Sequence, residues 1–166
     1  MTQPATTNIV AEDIANFFIA LADEKGDLMT NLKVQKLVYY AQAWHLALKN
    51  KPLFNEDFQA WVHGPVIPEL YFKYKEKGIR GSIPIPVECS FEDIKTRLDS
   101  ETIDFLLEVA NQYMVFNGFA LEEMTHQEDP WKIARGATSV DGRSDSVISK
   151  DSMRDYYASR ITNQAQ

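Results

Sequence analysis

Apolar residues in the stretch Asn31 to Leu48, NLKVQKLVYYAQAWHLAL, fall on every side of a helix. At about 100° per residue, Val34, Leu37, Ala41, Trp44 and Leu48 share one face, whereas Leu32, Tyr39 and Leu46 point roughly the opposite way. A helix that is apolar all round in a soluble chain lies at the centre of its domain. Lys33, Gln35, Lys36, Gln42 and His45 must then snorkel, pair with buried groups or line a cleft. The pattern therefore predicts a central buried helix, with Trp44 in the core. Thr30 is placed to cap it, and Pro52 lies beyond its end.

Helical spacing elsewhere is one-sided. Ile14, Phe17, Phe18 and Leu21 predict a first helix from about Val10 to Lys25, with Gly26 as its stop. Pro68 opens a short helix that runs to Gly78. Ser90 caps FEDIKTRLD, and Asp99 or Ser100 opens a longer helix with the stripe Ile103, Leu106, Leu107, Ala110, Tyr113 and Met114, closed by Gly118. ALEEMTH is another helical turn. Asp129 with Pro130 starts PWKIAR, which Gly136 ends. Ser149 introduces the last helix, packed through Met153, Tyr156, Tyr157 and Ile161. Phe58 to Gly64, FQAWVHG, reads as a short strand or hairpin arm. GSIPIPVE has too many prolines for a helix or a central strand, and ATSVDGRSDS is a loop by composition. The fold class that follows is mainly α: a single compact helical domain over residues 1–166, with a central buried helix and a short strand or β-hairpin.

Composition narrows the function. The 166 residues, 45% hydrophobic, suffice for one core, and one cysteine, Cys89, permits neither a disulfide framework nor a four-cysteine zinc site. MTQPATTNIVAED lacks a cationic, then apolar, leader, and no run reaches the ~20 apolar residues of a membrane span. The expected location is the cytoplasm. A net charge of −7 argues against nucleic acid and favours a basic or neutral protein partner.

Signals for catalysis are weak. His126, Glu128 and Asp129 in HQED contain an HxE string, but the paired cysteines of zinc deaminases and the HExxH pattern are both missing. There is no GxSxG elbow, no phosphate-binding GxxxxGK[ST] loop and no GxGxxG. No catalytic, metal-ligating or cofactor-binding residue is assigned, and no cofactor is expected.

Two aromatic clusters remain. AWVHGPVIPELY is either a rigid strand-to-helix corner or an exposed binding edge, and Trp and Tyr are enriched at interface hot spots. The candidate partner-binding residues are Trp61, His63, Pro65, Pro68, Glu69, Tyr71, Phe72 and Tyr74. An acidic face bearing Glu122, Glu123 and Glu128 is the alternative surface. In MTHQEDPWKIAR, Trp131 reads as a core anchor and His126 as a hydrogen-bonding link between two helical turns.

Taken in order, NLKVQKLVYYAQAWHLALKNKPLF, AWVHGPVIPELY, LEEMTHQEDPWKIAR and SKDSMRDYY resemble the Panacea domain of bacterial and phage antitoxins, the SocA-like family. Lys33, Gln35, Lys36, Leu37, Tyr39 and Tyr40, with Trp44 further along, carry the first signature. Trp61, Gly64, Pro65 and Pro68 carry the second, and Thr125, His126, Pro130 and Trp131 the third. The resemblance implies a mostly helical antitoxin, without enzyme activity, that neutralises a cognate protein toxin by binding it. An alternative is a phage-associated adaptor that presents a partner to a protease. Some relatives add a DNA-binding helix-turn-helix domain, for which too few residues flank the resembling region.

Overall fold

In the computed structural model, residues 8–76 and 85–164 are described, with side chains to 161. Among them are eight helices and one two-stranded hairpin. In chain order these are α1 (Ala11–Glu24), α2 (Asn31–Lys49), β1 (Gln59–Trp61), β2 (Gly64–Val66), α3 (Pro68–Glu76), α4 (Phe91–Arg97), α5 (Ser100–Tyr113), α6 (Gly118–His126), α7 (Asp129–Arg135) and α8 (Lys150–Gln164). None of the helices is long and apolar enough to cross a membrane. The expected mainly α class with a central helix is what the chain forms.

The second helix packs against α1, α3, α5, α6, α8 and β2, which is why apolar residues surround it. Thr30 accepts a hydrogen bond from the Lys33 amide at 3.1 Å, and Asn50 ends the helix in the left-handed region at φ 55°. Val34, Leu37, Tyr39, Tyr40, Ala41 and Leu46 are buried. The expected burial fails at the C-terminal end: Trp44 is half-buried and Leu48 is 55% exposed. That last turn projects past the core, so Trp44 covers Tyr157 at 5.1 Å and donates to the Tyr113 hydroxyl at 2.7 Å.

Around this spine, Phe17 of α1 packs edge-on against Phe18 and, at a tilt, against Phe91 at the start of α4. Gly26 follows α1 at φ 74°, Ser90 caps α4 and Asp99 caps α5, as the sequence predicts. Met153 and Tyr157 of α8 are buried, while Tyr156 and Ile161 are half-buried.

Two boundaries and one buried stripe differ from expectation. Gly118 opens α6 instead of closing α5, with Asn117 as the cap. A Cβ there would fall 3.1 Å from the Leu32 side chain, so the glycine permits close approach to α2. On α5 Leu106, Ala110 and, just past its end, Met114 are buried and Ile103 and Tyr113 half-buried as expected, but Val109 joins the stripe and Leu107 is exposed. The cap of α7 is Glu128, one residue before Asp129, and its carboxylate does not cap but turns into the core. The predicted end of α3 at Gly78, the first half of GSIPIPVE and residues 1–7 lie outside the described residues.

Candidate interaction site

The corner begins as an antiparallel hairpin in which Gln59 pairs with Val66, Ala60 with Pro65 and Trp61 with Gly64. Val62 and His63 make the reversal, Gly64 at φ 98° completes it as the first residue of β2, and Pro68 then starts α3. Polar side chains hold this backbone from beneath. Gln35 accepts from the Ile67 amide at 3.1 Å while its own amide donates to Asn31. The Lys36 ammonium donates to the Pro65 carbonyl at 3.2 Å. From α7, the Trp131 indole donates to the Trp61 carbonyl at 2.8 Å and Arg135 to the Ala60 carbonyl at 3.0 Å. Gln42 clamps the chain after α2 in the same manner, accepting from Leu53 and donating to Phe54. The polar residues of the central helix are thus backbone clamps, and they leave the corner little freedom.

Above the clamps lies an open groove of about 630 Å³, bounded by the hairpin turn, α3 and the loop at 143–145. Trp61, His63, Pro68, Tyr71 and Phe72 line it. Trp61 meets Tyr71 at 5.1 Å and Phe72 at 6.0 Å between ring centroids. Phe72 is 46% exposed. Three of the anticipated residues do not join them. Pro65 is buried against α2 by the hairpin's own pairing, and Tyr74, also buried, faces Asn16 and Ile19 of α1. Glu69 is exposed but lies beside Val10 and Glu56 on another surface. Conversely, Lys75, Arg143, Ser144 and Asp145 belong to the groove and were not anticipated. Nothing local in DGRSDS signals this. The buried Arg135 decides it, because its guanidinium also donates to the carbonyls of Ser139 and Gly142, both at 2.6 Å.

Behind the hairpin turn, His63 Nδ1 lies 2.9 Å from the Glu122 carboxylate, and His126 lies 3.9 Å from it. The His126 ring stacks on Trp131 at 4.2 Å, so it joins α6 to α7 through ring contact and not through the expected hydrogen bond. Burial lowers the affinity of His126 for its proton. Burial also lowers the Lys36 pKa to about 7, against the opposing pull of Glu122. Glu128 accepts from the hydroxyls of Tyr40 at 3.0 Å and Tyr157 at 2.6 Å. Desolvation raises its carboxyl pKa despite both bonds. The HQED string is therefore divided between different partners, and Glu128, being interior, drops out of the acidic face, which keeps the exposed Glu123 and the half-buried Glu122. Among the remaining motif residues, Lys33 donates to the Met114 carbonyl at 2.7 Å, Tyr39 packs edge-on against Phe58, and Thr125 and Pro130 are buried.

A family model described as antitoxin SocA-like, Panacea domain, matches residues 34–132, from within α2 to within α7. Antitoxin SocA of Caulobacter vibrioides (strain NA1000 / CB15N) is 35% identical over 71 residues, which are 43% of this chain and 38% of that protein. The chain thus spans well under half the length of this relative. No solved structure matches it.

Proposed function

The chain belongs to the SocA-like Panacea domain family of antitoxins, and on that premise we propose that it neutralises a cognate protein toxin by binding it at the aromatic groove. Inhibition by occupation asks no chemistry of the chain, and the proposed setting is the cytoplasm. The observation that carries this reading is the trio Trp61, Tyr71 and Phe72, presented on a corner whose backbone carbonyls at Ala60, Trp61 and Pro65 are already bonded. Aromatic surface held in place beforehand binds with little further ordering cost. Co-expression with the product of the neighbouring gene, scored for growth rescue and co-purification, tests the role. Phe72→Ala and Tyr71→Ala should weaken both. Unchanged rescue and co-purification in both variants would remove the toxin from this groove.

A second reading, an adaptor that presents its partner to a protease, draws on a separate groove of about 560 Å³. Trp44, Leu48, Phe105, Phe116 and Arg160 are among its lining residues, and it shares none with the first. A molecule that holds one protein and offers it to another needs two such surfaces. Under this reading Phe116→Asp preserves co-purification but slows the partner's loss in cells.

A further inference from the structure

The groove carries charge as well as aromatic surface, and the charge restricts what fits. Lys75 and Arg143 line it from separate elements, α3 and the loop that Arg135 ties down. Neither makes an ion pair with any described residue, and the Lys75 ammonium sits 5.6 Å from the centre of the Phe72 ring. His63 adds a third potential cation at the turn, already facing Glu122. Asp145 is the one carboxylate among the lining residues. This cationic rim stands on a chain whose net charge is −7.

Resting on the toxin-binding reading above, we infer that the groove receives a partner segment in which an aromatic or branched aliphatic side chain is flanked by carboxylates. The apolar side chain meets Trp61 and Phe72. The carboxylates meet the ammonium of Lys75 and the guanidinium of Arg143, whose planar fork matches a carboxylate in two parallel hydrogen bonds. The surrounding negative field repels an acidic protein as a whole. The fitting partner is therefore neutral or basic overall, with a local acidic and aromatic segment. Such a combination confers specificity, because a generally acidic protein is repelled and a basic one without an acidic segment finds no match at the rim.

The test is selection of a random peptide library, displayed on phage, against the immobilised full chain. Enriched peptides should carry an aromatic or branched aliphatic residue within three positions of Asp or Glu. A synthetic copy should lose at least tenfold in affinity on Lys75→Glu with Arg143→Glu, and should lose a similar factor on Phe72→Ala. Raising salt from 50 to 500 mM should weaken it several-fold, since the contacts are partly solvent-exposed. All three positions are exposed, so thermal melts of the variants should match the parent. Enrichment of basic or uncharged peptides, or no enrichment, overturns the inference. So does binding of a fluorescein-labelled oligothymidylate that Phe72→Ala abolishes, because the groove would then serve nucleic acid. An acidic aromatic peptide that binds the groove yet fails to displace the neighbour-encoded toxin upholds this chemistry and overturns only the toxin's placement.

Discussion

The backbone of Gly64 lies against the end of the Lys36 side chain: a Cβ at position 64 would fall 2.5 Å from Lys36 Cε and 2.8 Å from Thr125 Oγ1. The hairpin turn, the central helix and α6 therefore meet at a point that admits no side chain. Gly64 also has φ 98°, a conformation L residues rarely adopt. Gly64→Ala should cost on the order of 2–5 kcal/mol, combining backbone strain with overpacking. Gly26 has φ 74° with nothing within 4 Å of an added Cβ, so Gly26→Ala, strained but not crowded, should cost about 1 kcal/mol. Urea midpoints of the two variants check the contrast, and equal costs would mean that crowding at Lys36 is relieved at no expense.

Lys36 should make stability depend on pH. Its proton is lost near pH 7 in the folded chain, whereas an unfolded lysine keeps its proton to about pH 10.4. Between these values the unfolded state binds more protons, so stability rises with pH, and below pH 7 the penalty of the buried charge is constant. Glu122 faces the ammonium, and Thr125 Oγ1 lies with the end of this lysine against the Gly64 backbone. A gain of about 2 kcal/mol is expected from pH 7 to 9, and Lys36→Met should flatten it. A slope that survives in Lys36→Met would assign the dependence elsewhere.

Glu128 tests the interior polar centre. Both tyrosine hydroxyls donate to the same carboxylate oxygen, so Glu128→Gln keeps an acceptor for them and removes a buried charge. It should stay within about 1 kcal/mol of the parent, while Glu128→Ala, with two orphaned hydroxyls and a cavity, should lose about 3 kcal/mol or more. Because the folded carboxyl has a raised pKa, its contribution is complete below about pH 4.3 and is lost as pH rises through the folded value. The Gln variant should therefore gain on the parent between pH 4 and 7. A constant gap between the two across that range would contradict the raised pKa.

The sequence reveals the centrality of α2 because an all-round apolar pattern has one physical solution in a small domain. It does not reveal what Gln35, Lys36 and Gln42 do, since their partners are carbonyls and amides at residues 65, 67, 53 and 54, chosen by the fold and independent of side-chain type. Gly118 reads as a stop in the sequence because a glycine after an amphipathic run serves equally as a helix end or as a point of close approach. Trp61, His63, Tyr71 and Phe72 were legible as a turn followed by a helix crowded with aromatics. Tyr74 leaves this group because two residues beyond Phe72 the helix has turned about 200°, toward α1. Arg143 could not be found at all without the anchor that Arg135 provides.

Arg135 offers the test that joins stability to the groove. Its guanidinium is buried, lies 4.9 Å from the Trp131 ring and donates to the carbonyls of Ala60, Ser139, Val140 and Gly142. One side chain thereby fastens the loop after α7 to β1 and sets Arg143 at the groove's edge. A lysine has no planar fork, so it cannot reach carbonyls on both sides at once. Arg135→Lys should destabilise the chain by about 2–4 kcal/mol, with several buried carbonyls left unpaired. The functional expectation is sharper. Amide hydrogen exchange should accelerate in residues 139–146 well before it does in α2, and affinity for the co-expressed toxin should fall although Arg135 itself does not line the groove. Full protection of that loop in a folded Arg135→Lys variant would show that the guanidinium does not hold it. Normal protection with weakened toxin binding would mean that Arg135 acts on the toxin by another route.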